Sequence, residues 1–267
     1  MYLADYHMHS ICSMDGNNPL TDMAAAAVAA GMKEICLTDH GDMLNIKGEE
    51  HFYYDWAPVY EQLAEAQAAF DGRLVIKMGL EFGSGFLSPA DAAHILSAEG
   101  LDFVIGSVHN KSVARGGSDF YYEQYEDAAH VQMLLGDYVE SLEQVARSPY
   151  YDVIGHVPYL LRYVPQRAGF PSDMTPWWEQ VRCILKDAVA QGKGIEVNTH
   201  CGRAIALWRP ILLEYRALGG EVLTFGSDAH HPENVGKGIQ EGQALAKACG
   251  FRAFCTYEKR KPLFHDL

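Results

Sequence analysis

The sequence has no apolar run approaching the roughly 18 residues that a membrane span requires, and its start, MYLADYHMHS, has no basic segment leading into an apolar one. These two gaps argue against a transmembrane helix and a secretory leader, so a cytoplasmic protein with no membrane partner is expected. Positive charge is also scarce: 21 Lys and Arg stand against 35 Asp and Glu, a formal net charge of -14. Phosphate-backbone binding normally shows as a basic patch or stripe, and none is visible, so no nucleic-acid partner is expected. The six cysteines form no CxxC pair, which excludes a zinc finger or disulfide framework in favour of reduced structural thiols. No low-complexity segment or internal repeat marks a linker. A length of 267 residues with 48% hydrophobic content suits one domain over 1–267 with a full core. Nothing in the sequence indicates an oligomeric state.

What is present is alternation. Strand-like runs fall at 2–7, 34–40, 74–82, 103–109, 151–156, 194–200, 221–230 and 251–257, with helical stretches between them. PLTDMAAAAVAAG offers Thr21 or Asp22 as an N-cap and stops at Gly31; WEQVRCILKDAVAQG stops at Gly192 and RPILLEYRALGG at Gly219. Repeated βα units with near-continuous apolar strands predict an α/β fold, a parallel sheet covered by helices and closed or distorted into a barrel.

Twelve histidines are a high share. In DYHMHS, His7 and His9 sit two apart on a strand, where side chains share a face and can converge on one point. Asp39 and His40, Glu81, His109, His156, His200, and Asp228 with His230 all lie at or just past the C-terminal end of a predicted strand. That is the end of a (β/α) barrel that carries chemistry. His51, His94, His130, His231 and His265 lie in helices, loops or the tail and read as solvated side chains. Mixed His and carboxylate ligation without thiolate suits Zn, Mn or Fe, and the supply exceeds what one ion needs. Two ions about 3.5–4 Å apart can share a hydroxide and clamp a transferring phosphoryl group.

The runs DYHMHS, LTDH, GLEFG, IGSVHN, VIGHVPY and GSDAHHPENVG resemble, in order and spacing, the motifs of the polymerase and histidinol phosphatase (PHP) superfamily, in its histidinol-phosphatase branch. The resemblance spans Asp5 to Gly238 and implies a distorted (β/α)7 TIM-like barrel with a trinuclear metal centre, the strand near Phe251 standing outside it. Position by position it implies that His7, His9, Glu81 and Asp228 hold one ion. Glu81 bridges to a second held with His109 and His156, and His40 and His230 take a third, completed by Asp15. Glu81, Asp228 and His230 then carry the catalytic work. Asp5 and Asp39, beside ligand histidines, are expected to orient imidazoles.

A phosphatase also needs groups that grip phosphate, and the guanidinium fork pairs with two phosphate oxygens. Arg162 and Arg203 each follow a strand that ends at the metal face, and the resemblance places substrate-binding arginines there; Arg115 is a third, weaker candidate. The activity implied is hydrolysis of L-histidinol phosphate to L-histidinol and phosphate, a step of histidine biosynthesis, through a metal-bridging hydroxide. The alternatives are a phosphoesterase for another small phosphate such as a nucleotide-derived one, a non-catalytic metal-stabilised binding module, and a metal-dependent amidohydrolase. The role of His200 and the proton donor to the leaving group stay open.

Overall fold

The computed structural model describes residues 2–170 and 172–267. Seven parallel strands run in sequence order around one sheet: β1 (Ala4–Asp5), β2 (Glu34–Leu37), β3 (Val75–Gly83), β4 (Phe103–Ser107), β5 (Val153–Ile154), β6 (Gly194–Asn198) and β7 (Leu223–Gly226). The sheet closes on itself where Tyr6 N–H donates to Phe225 O (2.9 Å) and Asp228 N–H to His7 O (2.9 Å). Every residue of β2, β4, β6 and β7 is buried, as expected for strands covered on both faces. The expected seven-stranded α/β barrel of the TIM-like kind is therefore the fold.

The helices in chain order are α1 (Leu20–Ala29), α2 (Ala57–Ala69), α3 (Pro89–Ile95), α4 (Ala128–Arg147), α5 (Tyr159–Ala168), α6 (Trp178–Ala190), α7 (Trp208–Ala217) and α8 (Ile239–Ala248). None among the described residues is long and apolar enough to cross a membrane. The expected cap of α1 is corrected: Pro19 occupies the N-cap with φ -64° and no side-chain bond, and Asp22 sits inside the first turn. Proline's fixed φ suits a helix entry, and an acid in the first turn meets the positive end of the helix dipole.

The eighth strand-like run leaves the barrel, as expected. It forms β8 (Ala253–Glu258), which pairs antiparallel with β9 (Lys261–Asp266), a strand the sequence reading did not include. This hairpin lies under the N-terminal ends of the barrel strands. Lys259 N–H donates to Asp102 Oδ1, just before β4, and Arg260 pairs with Asp152, just before β5. Tyr257 N–H donates to the buried Tyr6 hydroxyl, which itself donates to Glu34 at the start of β2. With that end sealed, the open end is the C-terminal one.

Candidate metal centre

The regular strands are shorter than the predicted runs, and the chemistry sits in the residues just beyond them. His7 and His9 follow β1, His40 follows β2, Glu81 lies near the end of β3, His109 follows β4, His156 follows β5, and Asp228 and His230 follow β7. All of them gather at one point. Glu81 is buried at the centre, with Oε1 2.7 Å from His156 Nε2 and 3.0 Å from His109 Nε2. Its Oε2 lies 3.0 Å from His40 Nδ1, 3.2 Å from His7 Nε2 and 3.6 Å from His9 Nε2. Asp228 Oδ1 is 3.5 Å from His9 Nε2 and 3.6 Å from His7 Nε2. Asp15 Oδ2 stands 3.1 Å from His230 Nε2 and 3.6 Å from His40 Nε2.

Three groups of potential ligand atoms lie together: His7, His9 and Glu81; Glu81, His109 and His156; and His9, Asp15, His40 and His230, so that Asp228 falls in none of them and His9 belongs to two. A fourth, His40, Asp42 and His109, brings in Asp42, which the sequence reading missed.

Imidazole orientation is fixed from behind. His7 Nδ1 lies 2.6 Å from Glu196 Oε1, so that nitrogen carries the proton and Nε2 turns its lone pair to the centre. Ser13 Oγ spends its hydrogen on Asp39 (2.8 Å) and accepts from His40 N–H (3.0 Å), so His9 Nδ1, at 3.0 Å, donates to it. His230 Nδ1 donates to Asp228 O (3.1 Å), and His109 Nδ1 lies 2.8 Å from Asp42 Oδ1. Asp5 and Asp39 do not orient imidazoles directly, contrary to expectation. Asp39 binds Ser10 N–H, Ser10 Oγ and Ser13 Oγ, and Asp5 accepts from Ser227 N–H and Gly236 N–H. Both hold the loops that carry the ligands, because the pleat turns their side chains away from the centre.

Buried His7 Nε2, His9 Nε2, His40 Nδ1 and Glu81 Oε2 have no hydrogen-bond partner. Orphaned buried polar atoms are costly; here they converge, and the donor set fits divalent cations. The electrostatics agree. Burial opposes charge on His7, yet Glu196, Glu81 and Asp228 outweigh it and hold its pKa well above the usual value. His109 is pushed up to about 10 by Glu81 and Asp42 against the effect of burial, while burial with His230 and His40 drives His9 down to about 3. Glu81, despite burial, is held well below its usual range by His7, His109 and His40.

Close packing leaves little room behind the ligands. A Cβ on Gly226 would stand 2.3 Å from His7 Cβ and 2.4 Å from Glu196 Oε1. Gly226→Ala must therefore displace His7, Glu196 or both, and it is expected to cost about 1–3 kcal/mol of stability together with bound metal. Thermal unfolding and metal analysis on one preparation check it; full metal content at wild-type stability would contradict the geometry.

The centre opens into a cavity of about 650 Å³ whose wall includes Arg167, Arg203, His200, Asp119, Tyr121 and Tyr163. Arg203, read from the sequence as a substrate-binding candidate, lies on the wall. Arg162 is 3% exposed and lies behind it, with Nη1 donating to Asn198 Oδ1 (2.8 Å) and Asp228 Oδ2 (3.1 Å) and the guanidinium carbon 5.0 Å from the Tyr159 ring centroid. Its Nε and Nη2 have no partner. Arg115 is engaged by Asp137 (3.2 Å) away from the cavity. His231, expected to be a solvated loop residue, also reaches the wall.

A family model for the PHP domain matches residues 5–200. The chain belongs to the PHP-domain family. Among relatives of this PHP protein, a histidinol-phosphatase from Lactococcus lactis is 27% identical, aligned over 96% of this chain and 95% of its own. A protein named probable histidinol-phosphatase from Deinococcus radiodurans is 30% identical over 97% and 98%. The crystal structure of histidinol phosphate phosphatase from Lactococcus lactis, complexed with zinc, L-histidinol and phosphate, superposes with a TM-score of 0.82 at 25% identity and covers 98% of each chain. Arg203, Asp228 and His230 lie beyond the residues matched by the PHP model but within the span shared with these relatives.

Proposed function

We propose that this PHP protein is a metal-dependent phosphomonoesterase that hydrolyses L-histidinol phosphate to L-histidinol and inorganic phosphate. The observation that carries the reading is the convergence of unpartnered imidazole and carboxylate atoms on one point beside two arginines. Relatives 27–30% identical over nearly the whole chain support the same substrate. Three divalent ions, drawn from Zn, Mn and Fe, are assigned to His7, His9 and Glu81 with Asp228 beside them, to Glu81, His109 and His156, and to His40, His230 and Asp15, an assignment supported by the clustering of these ligand atoms. Bound there, such ions supply Lewis acidity toward phosphoryl oxygens and activate water near neutral pH.

The remaining work falls to the chain. Glu81, Asp228 and His230 are the groups placed at the reacting phosphoryl. Glu81 supplies the negative charge around which the imidazoles are arranged, and Asp228 links the centre to Arg162. Arg203 meets the phosphate from the cavity wall, while Arg162, behind it, holds Asp228 and adds positive charge that offsets the charge on the equatorial oxygens in the transition state. Glu196 and Ser13 keep His7 and His9 in one tautomer, so no reorganisation is needed as charge shifts. One domain over 1–267 carries the activity, and a biosynthetic phosphatase of this kind suits the cytoplasm.

The test is phosphate release from a panel of phosphomonoesters by chelator-stripped protein with Mn, Zn or Fe added back. Preference for L-histidinol phosphate by at least about tenfold in kcat/KM over nucleoside monophosphates is expected, a difference of about 1.4 kcal/mol. A nucleotide-derived substrate turned over faster would replace the reading, and no metal-dependent release from any substrate would remove it.

A further inference from the structure

β6 ends in Asn198, and the chain then makes a left-handed turn: His200 has φ 48°, Cys201 φ 53° and Gly202 φ 84°. A non-glycine residue in that region costs on the order of 1–3 kcal/mol and persists only where its surroundings over-determine it. They do so here. His200 N–H donates to Asn198 Oδ1 (2.9 Å), Cys201 N–H to Ser227 O (2.8 Å) and Ala204 N–H to Thr199 O (3.0 Å). The turn sets His200 and Cys201 into the cavity wall. The imidazole of His200 packs edge-on against Tyr163, with ring centroids 5.5 Å apart, and is 9% exposed. Neither of its nitrogens bonds to the described residues, and it belongs to none of the four ligand groups.

Its main chain lies between the two candidate phosphate-binding arginines. Asn198 Oδ1, which accepts from His200 N–H, also accepts from Arg162 Nη1 (2.8 Å), and His200 O accepts from Arg203 Nε (3.1 Å). The imidazole is thus held in the same hydrogen-bonded frame as both guanidinium groups, facing the cavity floored by Glu81, His156 and Asp228. A phosphate monoester brings three non-bridging oxygens, and one turned away from the metal centre needs an N–H donor. Resting on the phosphatase reading, we propose that His200 donates a ring N–H to the substrate's phosphate and completes a cradle with Arg203 on the wall, the charge of Arg162 standing behind it.

Burial, reinforced by Arg162, drives the His200 pKa down to about 3. The ring is then neutral throughout the working range, with one N–H to give. It adds a hydrogen bond where two guanidinium groups already supply charge, and it has no proton to hand to a leaving alkoxide. His200 is a binding and positioning residue.

Binding of inorganic phosphate to the metal-loaded protein, measured by calorimetry, tests this directly, with L-histidinol phosphate kinetics and metal content alongside. His200→Ala is expected to weaken phosphate binding at least about tenfold, the loss for one hydrogen bond to a charged group, and to raise KM more than it lowers kcat, with metal content unchanged. His200→Asn keeps a neutral donor and tolerates the left-handed backbone, and it should recover most of the affinity. His200→Gly relieves the strain, so a raised Tm with weakened phosphate binding would separate the donor from its turn. Unaltered phosphate affinity in His200→Ala would overturn the proposal, as would loss of metal from that variant. Phosphate binding that depends on His200 in a wild-type protein inert toward L-histidinol phosphate would uphold the cradle and refute the substrate.

Discussion

Glu81→Gln is expected to lower phosphate release by about three orders of magnitude or more, the scale on which removal of a central electrostatic group acts, while the barrel stays folded. The substitution keeps the shape, and Ser107 Oγ, 2.8 Å from Glu81 Oε1, can still donate to the amide oxygen. What disappears is the charge shared by His7, His9, His40, His109 and His156, all within 3.6 Å of one or other oxygen. Without it the amide nitrogen faces imidazole lone pairs, and two ligand groups lose their common member. Phosphate release, metal analysis and circular dichroism on one preparation decide the matter. Near wild-type turnover with full metal would show that Glu81 fills space and does not organise the centre.

Chelation should produce the second large effect. An ion present at about a thousandfold over its Kd stabilises the folded chain by about 4 kcal/mol per site, which at this size moves Tm by about 10 °C. The stripped protein should also acquire a pH optimum. His109 titrates near 10 when folded against 6.5 for an ordinary histidine, so its contribution is complete below pH 6.5 and is lost as pH rises through 10. His7 and His40, also raised, act in the same direction. His9 is the opposite case: held near 3, it must gain a proton on unfolding in acid, and stability falls as pH drops from 6.5 toward 3. Glu81, held below its usual 4.5, adds to the acid loss below that value. The stripped protein is therefore most stable near pH 6.5. Restoring metal displaces protons from the raised imidazoles and flattens the alkaline side. Melting curves from pH 5 to 10 with and without chelator check this, and a stripped protein as stable at pH 9.5 as at 6.5 would contradict it.

The converging residues were legible because a barrel concentrates function at strand ends, and the imidazoles of DYHMHS, LTDH, VHN, IGH and SDAH all mark such ends. The groups behind them were harder to find. Glu196 and Asn198 alternate on β6 just as His7 and His9 do in DYHMHS, yet glutamate and asparagine inside an apolar strand carry no ligand signature. Their role emerges only when β6 is set beside β7 and the loop after β1. Asp42 is two residues past His40, in a segment that reads as a turn. Asp5 and Asp39 were misjudged because sequence adjacency to a histidine says nothing about which way a pleat turns the side chain. Arg162 shows another limit: the sequence marks its position, but only packing under Tyr159 and Tyr163 reveals that it reaches Asp228 from behind the wall.

The seam between β1 and β7 bears on biosynthesis of the chain itself. His7 and His9 leave the ribosome early, but Asp228 and His230, which share their metal group or lie beside it, follow more than 200 residues later. At about 5–20 residues per second, the first two imidazoles spend on the order of ten seconds or longer without the carboxylate across the seam. Throughout that interval a nascent chain can present only fragments of the ligand set, so full metal loading must wait until β7 has emerged and docked against β1. Truncation just before β7 then yields a chain that retains nine of its twelve histidines and cannot assemble the centre.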